Sequence, residues 1–124
     1  MANILVIDDE EKMTYLVEGA LTEAGFSVTA VNSPAEGLKL IDKHSYDIIV
    51  TDLSMPEISG MDVLERAKTK GDSEVILMTA YGSDGAEAAA KEMGVEYITK
   101  PFAMEDMKRL VRKAMRAQEK EGER

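Results

Sequence analysis

Four short stretches hold the residue types from which a reaction could be assembled: Asp8-Asp9-Glu10, Asp52, Thr79-Ala80 and Lys100-Pro101. Each stands where an apolar run ends. Carboxylates brought together repel one another unless a proton or a cation intervenes. Oxygen ligands with room for water favour Mg2+, with Mn2+ as the alternative. Taken singly, these residues say little. An Asp after a strand ordinarily serves a turn or a helix cap, an isolated Lys is a solvated charge, and a Thr is at home in a strand. Acids, a hydroxyl and an ammonium that all stand at strand ends form a constellation that turns and caps do not require. Other chemistries are excluded by what is missing. The chain has no Cys, so disulfides, thiolate nucleophiles and thiolate metal sites are ruled out. A multi-histidine metal site is impossible with one His, and a Ser-His-Asp triad could only be built around His44.

The elements that must position these groups follow from hydrophobic period. Residues 3–8, 47–52 and 74–79 are nearly continuous apolar runs, the pattern of strands buried on both faces. Residues 27–32 and 96–99 are more polar and belong nearer the sheet edges. Between strands the period becomes helical. Met13, Leu16, Val17, Ala20, Leu21 and Ala24 share one face, and Ser33-Pro34-Ala35-Glu36 is a helix start with a cap, a first-turn proline and a capping-box Glu. Residues 60–70 bury Val63, Leu64 and Ala67. A fourth helix covers 84–93 with alanines as its main apolar anchors. A fifth covers 104–117, with Met107, Leu110, Val111, Ala114 and Met115 on one side. At 124 residues this is one domain, and five β–α repeats make it an α/β fold with a parallel sheet covered on both faces. Ligands of such sheets bind beyond the carboxyl ends of the strands, which is where the acids fall. His44 precedes the third strand, away from the acids, and is read as a surface or helix-end histidine. The net charge of −9 repels phosphate backbones, which argues against direct nucleic acid binding by this domain. No run approaches the roughly 20 apolar residues of a membrane span, so no membrane partner and a cytoplasmic location are expected.

Taken in order, these pieces resemble a receiver domain of a two-component response regulator, of CheY-like or NtrC type. The resemblance runs from Ile4 to about Met115. It rests on Asp8-Asp9, on Asp52-Leu53-Ser54-Met55-Pro56-Glu57-Ile58-Ser59-Gly60 as a D-x-x-M-P-x-x-x-G segment, on Thr79-Ala80 and on Lys100-Pro101-Phe102. It implies a doubly wound, flavodoxin-like (β/α)5 fold with strand order 2-1-3-4-5. The receiver would occupy residues 1–117, with 118–124 a frayed charged tail or the start of a linker. The resemblance also implies roles. Asp52 is the phosphoacceptor, Asp9 a direct Mg2+ ligand and Asp8 a ligand mainly through water, with Asp52 and the Ser54 backbone carbonyl completing the set. Thr79 is the switching hydroxyl, Lys100 the ammonium paired with the phosphate, and Tyr97 the aromatic that moves with them. The peptide between Lys100 and Pro101 is expected to be cis.

The residues agree with that assignment on physical grounds. Phosphoryl transfer needs an in-line nucleophile and positive charge on the equatorial oxygens. Asp52 offers the first, while Lys100 and a cation offer the second. Two rivals fit less well. A haloacid-dehalogenase-type phosphatase places a second Asp two positions after its nucleophile, where this chain has Ser54. A flavodoxin-like nucleotide binder needs a small-residue loop after the first strand, where this chain has Asp9-Glu10-Glu11. The expected function is a switch that catalyses its own phosphorylation and dephosphorylation and is not a conventional turnover enzyme. Its phosphoryl source is a sensor histidine kinase, a phosphotransfer protein or a small donor, and it serves as a regulator or phosphorelay carrier. The surface formed by the fourth helix, fifth strand and fifth helix is expected to switch, and to dimerise if the domain forms homodimers. The resemblance also implies that the positions two beyond Asp52 and Thr79 flank the path of the attacking water. Ser54 and Tyr81, which stand there, are poor water-positioning groups and predict a long-lived phosphorylated state.

Overall fold

The computed structural model describes residues 2–80 and 85–122. Five strands alternate with five helices: β1 (Asn3–Ile7), α1 (Glu11–Glu23), β2 (Ser27–Val31), α2 (Pro34–Lys43), β3 (Ile48–Asp52), α3 (Gly60–Lys70), β4 (Glu74–Ala80), α4 (Ala86–Met93), β5 (Glu96–Lys100) and α5 (Met104–Gly122). All pairings are parallel and the order is β2-β1-β3-β4-β5, as expected. The chain starts in the middle of the sheet, winds out to one edge, crosses back and winds out to the other. The place where that direction reverses lies between β1 and β3.

Strand alternation divides the core in two. Ile4, Val6, Ile48, Val50, Ile76 and Met78 face α1 and α5, which contribute Val17, Leu21, Met107, Val111 and Ala114. Leu5, Ile7, Ile49 and Leu77 face α2, α3 and α4, which contribute Ile41, Val63, Leu64, Ala67 and Ala90. The apolar runs that read as doubly buried strands are the central β1, β3 and β4, and the polar β2 and β5 are the edges. Among the described residues no helix is long and apolar enough to cross a membrane.

Local signals mostly acted as their chemistry dictates. The Ser33 hydroxyl accepts the Glu36 N–H at 3.3 Å, with Pro34 in the first turn. A reciprocal capping box forms at α3, where Ser59 Oγ accepts the Met61 N–H at 3.1 Å and Asp62 accepts the Ser59 N–H at 2.9 Å. Two expectations need correction. Leu16 is exposed, because the buried stripe of α1 runs through Thr14, Val17 and Leu21 and leaves Leu16 to one side. Helix α5 continues to Gly122, past the expected end at residue 117. Its last turns hold Gln118, Glu119, Lys120 and Glu121, all good helix formers, and the Gln118 amide donates to the Asp72 carbonyl at 2.9 Å.

Gly60 connects the fold to the chemistry. A Cβ built there would meet the Asp52 carbonyl oxygen at 2.4 Å and the Leu53 Cα at 2.6 Å. The first residue of α3 therefore rests on the backbone that carries Asp52, and only glycine allows that approach. Gly19, in the middle of α1, has nothing within 4 Å of its Cβ position. Gly60→Ala should cost about 1–3 kcal/mol and Gly19→Ala should gain up to about 1 kcal/mol, both read by denaturant unfolding. Equal effects at the two positions would contradict the close approach.

Candidate functional site

The carboxyl ends of β1, β3, β4 and β5 bring the expected residues to one edge. Asp8, one residue past β1, is fully buried, and every part of it is held. Its Oδ1 accepts the Glu10 N–H at 2.9 Å, its Oδ2 accepts Lys100 Nζ at 2.8 Å, and its backbone carbonyl accepts Asn32 Nδ2 at 2.9 Å. Asp52 ends β3 and is 6% exposed. Asp9 is exposed and has no hydrogen-bond partner among the described residues. One carboxylate oxygen from each of Asp8, Asp9 and Asp52 lies within 4.8 Å of the others.

Lys100 supplies the balancing charge. It ends β5, at the edge of the sheet, and its long stem carries the ammonium across β4 and β3 to Asp8. On the way the ammonium passes 3.6 Å from Asp52 Oδ1. The peptide between Lys100 and Pro101 is cis, as the resemblance implies. Burial acts to depress the Lys100 pKa, but the hydrogen bond it donates to Asp8 and the charge of Asp52 outweigh it, and the net shift is upward. Lys100 is thus a fixed cation. Asp52 also shifts upward, first because burial disfavours its charge and next because Asp8 repels it; Lys100 and the Ser54 N–H oppose this.

Thr79 lies one residue past Met78, the register partner of Asp52 on β4, and is buried. Its hydroxyl contacts the Ile98 carbonyl at 3.4 Å and the Thr99 hydroxyl at 3.3 Å, both on β5. Ser54 opens the loop after β3 and its N–H reaches Asp52 Oδ1 at 3.4 Å. Further along this loop Glu57 holds a left-handed φ of 64°. Tyr97 is half-buried and pairs in register with Leu77, so it packs on the α4 face and stands apart from the acids. Tyr81 lies outside the described residues. His44 caps the C-terminus of α2, with its ring edge-on to Tyr46 at 6.4 Å.

Asn32 belongs to the site and sequence reasoning missed it. Its amide donates to the Asp8 carbonyl and, at 2.8 Å, to Thr14 Oγ1, tying the acidic loop to β2 and α1. The signal was available: Asn32 directly follows β2, next to β1, at the same edge as the acids.

Comparison with known proteins bears on the identity of this edge. The family model described as "Response regulator receiver domain" matches residues 4–112. A transcriptional regulatory protein of Bacillus subtilis, YkoG, is 34% identical over 116 residues, covering 92% of this chain and 51% of that protein. GlrR, a transcriptional regulatory protein of Escherichia coli, is 36% identical over 102 residues, covering 81% of this chain and 23% of that protein. The chain thus spans about half the length, or less, of these curated relatives. The crystal structure of a response regulator receiver domain protein from Clostridium thermocellum superposes with a TM-score of 0.88 at 32% identity, covering 96% of this chain and 98% of that one. With the family model matched over nearly its whole length, the chain belongs to the response regulator receiver domains of two-component systems.

Proposed function

We propose that Asp52 is the phosphoacceptor of this receiver domain and that its phosphorylation is the signal. The donor is a sensor histidine kinase, a phosphotransfer protein or a small acyl phosphate. The observation that carries the reading is the Lys100 ammonium set between Asp8 and Asp52, a fixed positive charge beside a buried carboxylate. A carboxylate oxygen of Asp52 attacks phosphorus in line with the bond to the donor. That bond breaks with its electron pair leaving on the donor atom, and an acyl phosphate forms. Lys100 meets the charge on the phosphoryl oxygens, and Thr79 turns its hydroxyl from β5 to donate to them. Phosphorylation and dephosphorylation at Asp52 are the domain's own catalysis.

The residues fit a hard dication. Asp8 already spends both carboxylate oxygens on Lys100 and the Glu10 N–H, which suits a ligand acting through water, whereas Asp9 has no competing partner. Asp9, Asp52 and the Ser54 carbonyl would bind Mg2+ directly, or Mn2+ in its place. An ion held there would supply positive charge to neutralise the phosphoryl oxygens. The output surface is α4, β5 and α5, coupled to Asp52 through Thr79 and Tyr97, and the same face is the proposed homodimer contact. The receiver occupies residues 1–117, with 118–124 a charged tail or the start of a linker. Control of transcription in the cytoplasm is the proposed output, since relatives are named transcriptional regulatory proteins.

Acetyl phosphate with Mg2+ should add one phosphoryl mass to the wild-type protein and none to Asp52→Asn, and excess EDTA should prevent labelling. An equally stable adduct on Asp52→Asn would overturn the assignment. Stability offers a second check. The raised Asp52 value means that its neutral form favours folding; this contribution is complete below the ordinary carboxylate range and is lost as pH rises through the raised value. Metal-free Asp52→Asn should therefore melt a few degrees higher than wild type at neutral pH, with the difference shrinking towards about pH 4. For the lifetime, decay of the adduct after donor removal should take minutes or longer. It should quicken when Ser54→Asn and Tyr81→Glu are combined, because amide and carboxylate groups can orient an attacking water. Unchanged decay would remove these positions from control of the reset.

A further inference from the structure

The hydroxyl of Thr79 is not free to point anywhere. Thr99 Oγ1 lies 3.3 Å from Thr79 Oγ1 and 3.1 Å from Glu87 Oε1 in the first turn of α4. Thr99 has one hydroxyl proton, and a carboxylate is a stronger acceptor than another hydroxyl. Its proton therefore goes to Glu87, leaving Thr99 with only lone pairs to offer Thr79. The other atom within reach of Thr79, the Ile98 carbonyl at 3.4 Å, is also an acceptor. Both choices direct the Thr79 proton to β5. The bonds themselves are loose, at 3.3–3.4 Å against the usual 2.5–3.0 Å for hydroxyl donors, so Thr79 can leave them at small cost.

We infer that Thr99 and Glu87 are positioning residues that hold the Thr79 hydroxyl on β5 until a phosphoryl group arrives, and that tie its departure to the first turn of α4. This rests on the assignment of Asp52 as phosphoacceptor. The chain of donors runs one way, from Thr79 through Thr99 to Glu87, and each bond polarises the next. When Thr79 gives its proton to a phosphoryl oxygen, Thr99 loses the donor that strengthened its own bond to Glu87. That bond matters to α4 because, among the described residues, little else secures the start of this helix. Its N-cap, Gly85, makes no side-chain cap bond, and Ala90 is its only buried residue. The Glu87 carboxylate is thus both the terminus of the relay and a tether of α4 to β5.

A tether of the resting state opposes occupation of the site, so cutting it should make the site easier to fill. Affinity for beryllofluoride with Mg2+, a phosphoryl mimic, is compared among wild type, Glu87→Ala, Glu87→Gln, Thr99→Val and the Glu87→Ala/Thr99→Val double variant. Glu87→Ala and Thr99→Val should each bind about three- to fivefold tighter, the size of one partly exposed hydrogen bond. Glu87→Gln keeps an acceptor and should fall between them and wild type. The double variant should gain no more than the larger single change, because both cut the same chain. Tighter binding is a readout that mere structural damage would not produce, and exposed Glu87 can be replaced without disturbing the core. Unchanged or weaker binding in both single variants, or additive gains in the double, would overturn the relay. Wild-type protein that takes up no beryllofluoride would instead remove the Asp52 assignment on which the relay depends.

Discussion

A buried acid must be answered by a cation, and the structure is organised around that requirement. Asp8 is fully buried, and the Lys100 ammonium stands 2.8 Å away. Removal of either partner would leave a charge stranded in a low-dielectric place, which costs far more than the pair gains. The two residues come from β1 and β5, strands separated in the sheet by β3 and β4. One ion pair thus ties the centre of the sheet to its edge, directly over Asp52. One ammonium against three clustered carboxylates still leaves two negative charges at the edge. That residue of charge is what a divalent cation would balance, and what a phosphoryl group, itself bringing close to two negative charges, would have to meet.

The sheet order makes this crowding possible. Because β1 and β3 are neighbours at the reversal point, the acids at their ends face each other with no helix between them. Close packing then fixes how the Asp52 backbone sits. Helix α3 begins on top of it at Gly60, and its capping box at Ser59 and Asp62 closes the loop that leaves Asp52. The left-handed Glu57 lies in the same loop, a small strain that a rigid helix start can sustain.

Much of this was legible in the residues, for reasons that differ by element. The central strands read clearly because burial on both faces demands unbroken apolar runs, and the acids read clearly because the runs of β1 and β3 each ended in one. Helix phase was less legible. Leu16 and Thr14 exchange the roles their hydrophobicity suggests, since the stripe is set by how α1 lies on β1 and β2, which no local pattern encodes. The extent of α5 was understated because its charged end lacks apolar period, although propensity and the Gln118 contact carry the helix on. Asn32 was legible by the same rule as the acids, since it follows β2 at their edge. Thr99 and Glu87 carry no signature of their own, because only the docking of α4 beside β5 brings them together.

Helices α4 and α5 are anchored to the sheet very unequally, and the difference falls where a switch would need it. On one face α5 buries Met107 and Val111 completely against the sheet. On the other, α4 offers one buried alanine and is bracketed by Gly85 and Gly94, both in left-handed conformation. Apolar burial contributes roughly 25 cal/mol per Å2, so a helix anchored by alanine is held by little more than its polar contacts. A ligand can shift an equilibrium only by its differential affinity for the two states. Transfer of a hydrogen bond from β5 to a phosphate offers a difference of a few kcal/mol at most, enough to move α4 and far too little to move α5. In the proposed switch, then, the responsive element is set by core volume: the helix that moves is the one whose buried anchor is a single alanine.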